Sequence, residues 1–281
     1  MYNYSIMPLD TAHLEEICLD IERQYDEGIA TLALFMMPLV PEGAPATDKA
    51  GLFCQAYDLF RDRLARDGYE CGILAQCTIG HGYPLKYPSS FQSFTDLAGG
   101  ERANVVCPLD DGFRAHFFDQ FATLAAHRPK VIMVDDDFRL IERKGGGCGC
   151  PLHIKRVGEI VGRELTREQI RDGLFTDEAL HDAYVQSQRE ALLGAAQVFR
   201  AGIDSVDPTI QGAFCICSGQ ENVGFGLEIG KILAGKGNKT IIRIHNARYT
   251  ADGARGISSQ FWRAANDISM MREADVLLAE T

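Results

Sequence analysis

The stretch Val131-Ile-Met-Val-Asp-Asp-Asp-Phe-Arg139 joins four apolar residues directly to three consecutive carboxylates. A short apolar run bounded by polar residues is typical of a strand that is covered on both faces, as in a parallel sheet. Side chains alternate along a strand, so at least one of Asp135, Asp136 and Asp137 is expected to point into the protein at the strand's carboxyl end. Adjacent acids also raise one another's pKa, which favours a general acid among them.

Apolar runs alternate with amphipathic helical patterns along the rest of the chain. They predict seven strands, near residues 29–37, 71–77, 105–107, 131–135, 212–217, 240–245 and 274–280. Regular alternation of this kind is typical of a parallel α/β protein. A doubly wound sheet would place a glycine-rich phosphate loop after an early strand, where this chain has Pro38-Leu-Val-Pro-Glu42.

Polar residues gather instead at the carboxyl ends of many strands, as a barrel with its site on that face requires. We therefore predict a TIM-barrel-like (β/α)8 fold, of which the chain covers about seven strands. Residues 1–281 would form a single barrel domain that is incomplete at its carboxyl end. Either a later segment or a partner chain, for example in a homo-oligomer, would cover the open barrel.

Composition narrows the class of protein. The 281 residues are 46% hydrophobic and 24% charged, with a formal net charge of -11. An acidic chain of this kind argues against nucleic acid and anionic membranes as partners. The N-terminus shows no signal peptide and no apolar run is long enough to span a bilayer, so we expect a cytoplasmic protein. Nine cysteines, an odd number without an export signal, argue against a disulfide framework.

The segment Cys148-Gly-Cys150-Pro-Leu-His153 has metal-ligand spacing in a glycine-rich setting. A structural zinc site needs four Cys or His ligands, and we expect the fourth to be Cys107, which ends a predicted strand before Pro108. A full set of four leaves no open position, which favours a structural zinc over a catalytic one. The alternative is a chance cluster of thiols on a glycine-rich loop.

Glu280 ends the last apolar run just as the aspartates end theirs. Two carboxyl groups at the tips of two barrel strands form the pair used in glycoside hydrolysis. The alternatives are that the aspartate run caps the following helix, pairs with Arg139 or binds Mg²⁺, and that Glu280 is only a chain end. Candidate contacts to a sugar are Asp135, Asp136, Gln76, His81, Arg114, Glu221, His245 and Asn246.

These motifs resemble those of glycoside hydrolase family 42, the β-galactosidases of clan A, and related barrel glycosidases. That family ends its fourth strand in Asp-Asn-Glu-Tyr, where this chain has Asp135-Asp-Asp-Phe138, and follows it with a zinc-binding Cys-x-Cys-x-x-Cys and an earlier Cys-Pro. The resemblance implies Asp137 as the acid/base, Glu280 as the nucleophile, and zinc bound by Cys107, Cys148, Cys150 and His153.

The chain also departs from the family pattern. Asp137 stands in place of the longer Glu, Asp136 in place of the Asn that contacts the substrate 2-hydroxyl, and His153 in place of the last Cys. The predicted function is hydrolysis of a β-galactoside-like carbohydrate by two carboxyl groups with retention. The alternatives are a non-catalytic sugar-binding barrel and a metal-dependent sugar hydrolase or isomerase.

Overall fold

The computed structural model describes residues 3–80, 85–141, 146–217, 223–245 and 257–279. In chain order its strands are β1 (Tyr4–Met7), β2 (Leu32–Pro38), β3 (Cys71–Gln76), β4 (Ser93–Thr95), β5 (Glu101–Val106), β6 (Val131–Val134), β7 (Gln211–Cys217), β8 (Ile241–His245) and β9 (Val276–Ala279). Seven of them form one sheet in the order β1-β2-β3-β6-β7-β8-β9, in which every neighbouring pair is parallel. The sheet curls into a half-barrel, which confirms the predicted fold class.

Helices follow the strands and cover the outside of the sheet. They are α1 (Leu14–Asp26), α2 (Lys49–Arg66), α3 (Asp111–Ala126), α4 (Pro151–Val161), α5 (Arg167–Gly173), α6 (Glu178–Asp204), α7 (Val223–Ala234) and α8 (Ile257–Met270). Side-chain caps from Asp48, Asp110 and Asp177 begin three of them by accepting a backbone N–H of the first turn. Of the helices that the structure describes, none combines the length and apolar character needed to cross a membrane.

One predicted strand lies elsewhere than expected. Residues 105–107 fall at the end of β5, which pairs antiparallel with β4 in a separate two-stranded sheet. The seventh strand of the barrel sheet is instead β1, whose four residues pair with Leu32–Phe35 of β2. A four-residue edge strand carries too little pattern to identify from sequence. The strand that precedes the aspartates is still fourth in the barrel sheet, because β1 replaces the misplaced one.

The two faces of the sheet bury different sets of side chains. On β6, Val131 and Met133 belong to the interior cluster of the barrel, whereas Ile132 and Val134 pack towards the helices. The helix layer is rich in phenylalanine, and Phe121 of α3 stacks on Phe199 of α6 with centroids 4.4 Å apart. Each such fully buried ring stabilises the fold by about 1.5–3 kcal/mol. The side chains of eight of the nine cysteines are described, and these eight are buried and free of disulfides.

Candidate functional site

Asp135 is the aspartate that continues the interior face of β6. It follows Val131 and Met133 at the period of two, and its backbone N–H still bonds to the Ala75 carbonyl of β3. Its carboxylate accepts a hydrogen bond from Gln76 Nε2 at 2.8 Å and lies 3.5 Å from Arg243 Nη1. Strands β3, β6 and β8 therefore bring together one polar layer, directly above the apolar interior.

The environment of Asp135 favours its protonated form. Burial raises the pKa of this carboxyl above its ordinary value, and the adjacent Asp136 raises it further, while Gln76 and Arg243 oppose the rise. The carboxyl is only 5% exposed. A buried acid with a raised pKa has the property that a proton donor needs. The side chain of Asp136 instead lies 3.7 Å from Arg139 on the following turn.

Asp137 turns away from the barrel interior. Its side chain is fully buried, and its two oxygens accept from the backbone N–H groups of Cys77 at 2.9 Å and Ile79 at 3.3 Å, with the Thr78 hydroxyl at 3.5 Å. Backbone N–H groups that converge on a carboxylate favour its charged form. Cys77 has a positive φ of 62°, which turns the chain so that these groups converge. Asp137 therefore fixes the loop after β3.

The residue after the aspartates explains why the chain turns here. Phe138 is fully buried in the helix layer, where its ring lies 5.3 Å from that of Phe199 and 6.1 Å from that of Phe214. An apolar anchor outside the sheet ends the strand geometry, so the period of two no longer applies beyond Asp135. The three aspartates consequently point in different directions and do not converge as ligands for one Mg²⁺ ion.

The metal-like segment forms a compact buried group. The ligand atoms of Cys107, Cys148, Cys150 and His153 all lie within 4.8 Å of one another, and all four residues are fully buried. His153 Nδ1 is 3.2 Å from the Cys107 sulfur and 3.7 Å from the Cys150 sulfur. In tetrahedral zinc sites with bonds of 2.0–2.3 Å, neighbouring ligand atoms are about 3.5–3.8 Å apart. The four residues therefore fit a zinc-sized cation.

The three thiols of this group change one another's pKa. Burial raises the pKa of Cys107 well above its usual value, and contacts with Cys148 and Cys150 raise it further. Burial would likewise raise the pKa of Cys148, but hydrogen bonds from its two neighbours lower it well below the usual range. Cys150 also precedes α4, whose N-terminus favours negative charge. Three thiolates this close would repel one another, and a divalent cation offsets that repulsion.

The backbone around the group is held from two sides. The amide of Gln188 on α6 accepts from Cys148 N–H at 2.8 Å and donates to the Cys148 carbonyl at 2.9 Å. Gly149 N–H donates to the Thr95 carbonyl of β4. A Cβ on Gly147, whose φ is +98°, would lie 2.6 Å from the Tyr184 hydroxyl. The group thus ties the end of β5, the loop after β6 and α4 together.

The structure brings some predicted site residues together and separates others. Gln76 contacts Asp135, and His245 ends β8 two residues beyond Arg243. Arg114 lies on α3 and donates to the Pro108 carbonyl at 2.8 Å, and its role as a sugar contact stays a prediction. The predicted residues His81, Glu221, Asn246 and Glu280 lie outside the described residues.

Arg243 is a residue of the polar layer that the sequence analysis missed. Its signal is present in Ile241-Ile-Arg-Ile-His245, where a charged residue interrupts an otherwise apolar strand. A charge in the middle of a buried strand needs a partner inside the protein. Asp135 and the Cys215 sulfur, 3.4 Å from Arg243 Nη1, supply that contact.

Solved structures similar to this chain are barrel glycosidases. A β-galactosidase from Rahnella sp. R3 matches with a TM-score of 0.64 at 10% sequence identity, over 100% of this chain and 44% of that chain. A β-galactosidase from Bacillus circulans sp. alkalophilus matches with a TM-score of 0.59 at 13% identity, over 96% of this chain and 43% of that chain. The catalytic domain of a β-amylase from Paenibacillus polymyxa matches with a TM-score of 0.61 at 10% identity, over 99% and 92%.

The matches to solved structures have low sequence identity, and those to the β-galactosidases are partial. No protein-family model matches the sequence, and no curated protein matches it. The chain spans less than half the length of the two β-galactosidases. At identities of 10–13% the likeness concerns the fold. The half-barrel of this chain therefore has a glycosidase-like fold, with a buried polar layer at the end of its fourth strand and a group that could hold a metal ion beside it.

Proposed function

We propose that this protein hydrolyses a carbohydrate, of the β-galactoside type, with carboxyl groups at the carboxyl ends of β6 and β9. The observation that carries the proposal is the position of Asp135, a buried carboxyl on the interior face at the end of the fourth barrel strand. The site of a barrel enzyme lies at that end of the strands. The glycosidase-like fold supports a carbohydrate as the substrate.

In this mechanism Asp135 gives its proton to the glycosidic oxygen as the bond to the sugar breaks. Burial and the charge of Asp136 raise its pKa, which favours the protonated form, and Gln76 holds one of its oxygens in place. Glu280, which directly follows β9 in the sequence, is the second carboxyl. As a nucleophile it would form a glycosyl-enzyme intermediate, which water then hydrolyses with retention, helped by Asp135 as base.

The geometry favours Asp135 over Asp137 as the proton donor, although the family pattern points to Asp137. Both oxygens of Asp137 already accept backbone N–H groups, which favour its charged form, and the side chain is fully buried. A carboxyl group held in this way, with no exposed surface, does not reach a substrate. Zinc bound by Cys107, Cys148, Cys150 and His153 would hold the loops around the site and take no part in the reaction.

Activity of four variants on a panel of aryl glycosides tests these assignments. Asp135→Asn and Glu280→Gln are expected to lower kcat by at least about 100-fold, the contribution of one acid–base group. Asp137→Asn is expected to lose activity only in proportion to folded protein lost. Asp119→Asn, an exposed change on α3, is the matched control. If Asp135→Asn keeps full activity while folded Asp137→Asn loses it, then Asp137 is the proton donor.

A wild-type protein that binds sugars but turns over no glycoside would overturn the proposal in favour of a sugar-binding barrel. Binding is measured by calorimetry with galactose and cello-oligosaccharides as probes. Activity that disappears on chelation and returns with a divalent ion, while the thiol-bound zinc is retained, would instead favour a metal-dependent hydrolase.

A further inference from the structure

Arg243 is a buried charge within the polar layer that contains Asp135. Its guanidinium extends from β8 into the barrel interior, is 8% exposed as a residue, and lies 3.5 Å from Asp135 Oδ1. The same nitrogen, Nη1, is 3.4 Å from the sulfur of Cys215 on β7. Burying a guanidinium is costly unless it is paired. A leucine would fill this layer at a lower cost, so the charge itself is the feature that needs a role.

The charged and titratable groups that face Asp135 come from each neighbouring element. From β8 comes Arg243, from β7 the thiol of Cys215 behind it, and from β3 only the neutral amide of Gln76. On its own segment the adjacent Asp136 opposes ionisation. Among the described residues, Arg243 is therefore the positive charge in contact with the Asp135 carboxyl. The backbone N–H of Asp136 and the amide of Gln76 also favour the ionised form, but neither carries a charge.

We propose that Arg243 is a positioning residue that orients the Asp135 carboxyl and sets the pH at which it releases its proton. This inference rests on the proposed function of Asp135 as the proton donor. Burial favours the protonated form of Asp135, and a positive charge in contact with the carboxyl opposes that effect. An efficient acid has a pKa near the working pH, so such a charge affects where the proton is released. A guanidinium at contact distance lowers the pKa of a carboxyl by about one to three units.

The first test is the pH profile of kcat/KM in Arg243→Gln. A proton donor loses activity as the pH rises through its pKa, so the basic limb reports Asp135 in the free enzyme. Without the positive charge the limb is expected to move to higher pH by about one to three units. Arg243→Lys keeps the charge and is expected to restore most of the wild-type profile. An unmoved limb in Arg243→Gln, or equal shifts in both variants, would overturn the proposal.

Arg139→Gln is the matched control, because it removes the same type of side chain beside the same aspartate run. Arg139 lies 3.7 Å from Asp136 rather than from Asp135. The limb in this variant is expected to move by less than half of the shift in Arg243→Gln. An equal or larger shift would show that any nearby positive charge suffices, and would overturn the specific role of Arg243.

The second test does not depend on turnover. In protein labelled with ¹³C at the aspartate carboxyls, the Asp135 resonance is the one that disappears in Asp135→Asn, and its titration midpoint is expected to rise by about one to three units in Arg243→Gln. The wild-type protein offers a test without substitution. The guanidinium ¹⁵N chemical shifts of Arg243 should change with pH with the same midpoint as the Asp135 carboxyl. Independent titration of the two groups would overturn the inference.

The two tests separate failure of the inference from failure of the proposed function. If no glycoside is hydrolysed but the Asp135 midpoint moves in Arg243→Gln, the coupling stands and the proposed activity falls. If Asp135→Asn abolishes hydrolysis but the midpoint and the basic limb stay unchanged in Arg243→Gln, the activity stands and the role of Arg243 falls.

Discussion

Replacing Asp137 with alanine should destabilise the protein by removing the anchor of the loop after β3. The change leaves the backbone N–H groups of Cys77 and Ile79, which now donate to the carboxylate at 2.9 and 3.3 Å, without an acceptor in a site that water does not reach. Each buried unsatisfied donor costs about 1–3 kcal/mol, so the expected loss is about 2–6 kcal/mol. That is a large share of the about 5–15 kcal/mol by which domains are stable.

Urea unfolding followed by circular dichroism gives the free energy of unfolding, and hydrogen exchange at the Cys77 and Ile79 amides localises the effect. Asp137→Asn retains one acceptor oxygen and should lose less stability than Asp137→Ala, which keeps a measurable variant if the alanine does not fold. Asp119→Ala, exposed on α3, should stay within about 0.5 kcal/mol of the wild type. If the stability of Asp137→Ala also stays within about 0.5 kcal/mol of the wild type, and the Cys77 and Ile79 amides remain protected from exchange, Asp137 is not the anchor of this loop.

Three further predictions concern the metal group, the glycine turn at Gly147 and the ion pair of Glu42. Elemental analysis should find about one zinc per chain in the wild type. Cys148→Ser should lose this zinc, whereas Cys54→Ser, a change of an equally buried cysteine on α2, should keep it. Zinc retained in both variants would exclude Cys148 as a ligand. Gly147→Ala should lower the melting temperature, because the new Cβ would lie 2.6 Å from the Tyr184 hydroxyl at a φ of +98°; an unchanged melting curve would contradict this packing. Burial raises the pKa of Glu42, but bonds from Lys49 and from two backbone N–H groups outweigh it and leave the pKa lowered. A lowered folded pKa contributes stability above the unfolded value of 4.5 that is lost as the pH falls through the folded pKa. Glu42→Gln should therefore be less stable than the wild type at neutral pH, and its free energy of unfolding should fall less as the pH is lowered. If the free energies of variant and wild type fall in parallel with pH, the ion pair is refuted.

Much of the architecture was predictable because it depends on local pattern. Short apolar runs bounded by polar residues, such as Val131–Val134, are typical of strands of a parallel sheet, and polar residues at their ends indicate the carboxyl face as the candidate site. Cys148, Cys150 and His153 were predicted to group from their spacing, and Cys107 because it ends a predicted strand before Pro108; the structure brings these four side chains together. Ligand spacing within one loop constrains geometry directly.

The sequence by itself thus determined the class of fold, the fourth strand and the composition of the buried metal-like group. Only the tertiary structure decided which strands join the sheet, because pairing of β1 with β2 and of β5 with β4 depends on long-range contacts. It also decided the roles of the aspartates. Phe138 packs outside the sheet and ends the alternation, so Asp137 binds the loop after β3 and Asp135 faces Arg243 across the interior. No local pattern encodes that choice, because the partners of both carboxylates lie more than fifty residues away in the sequence.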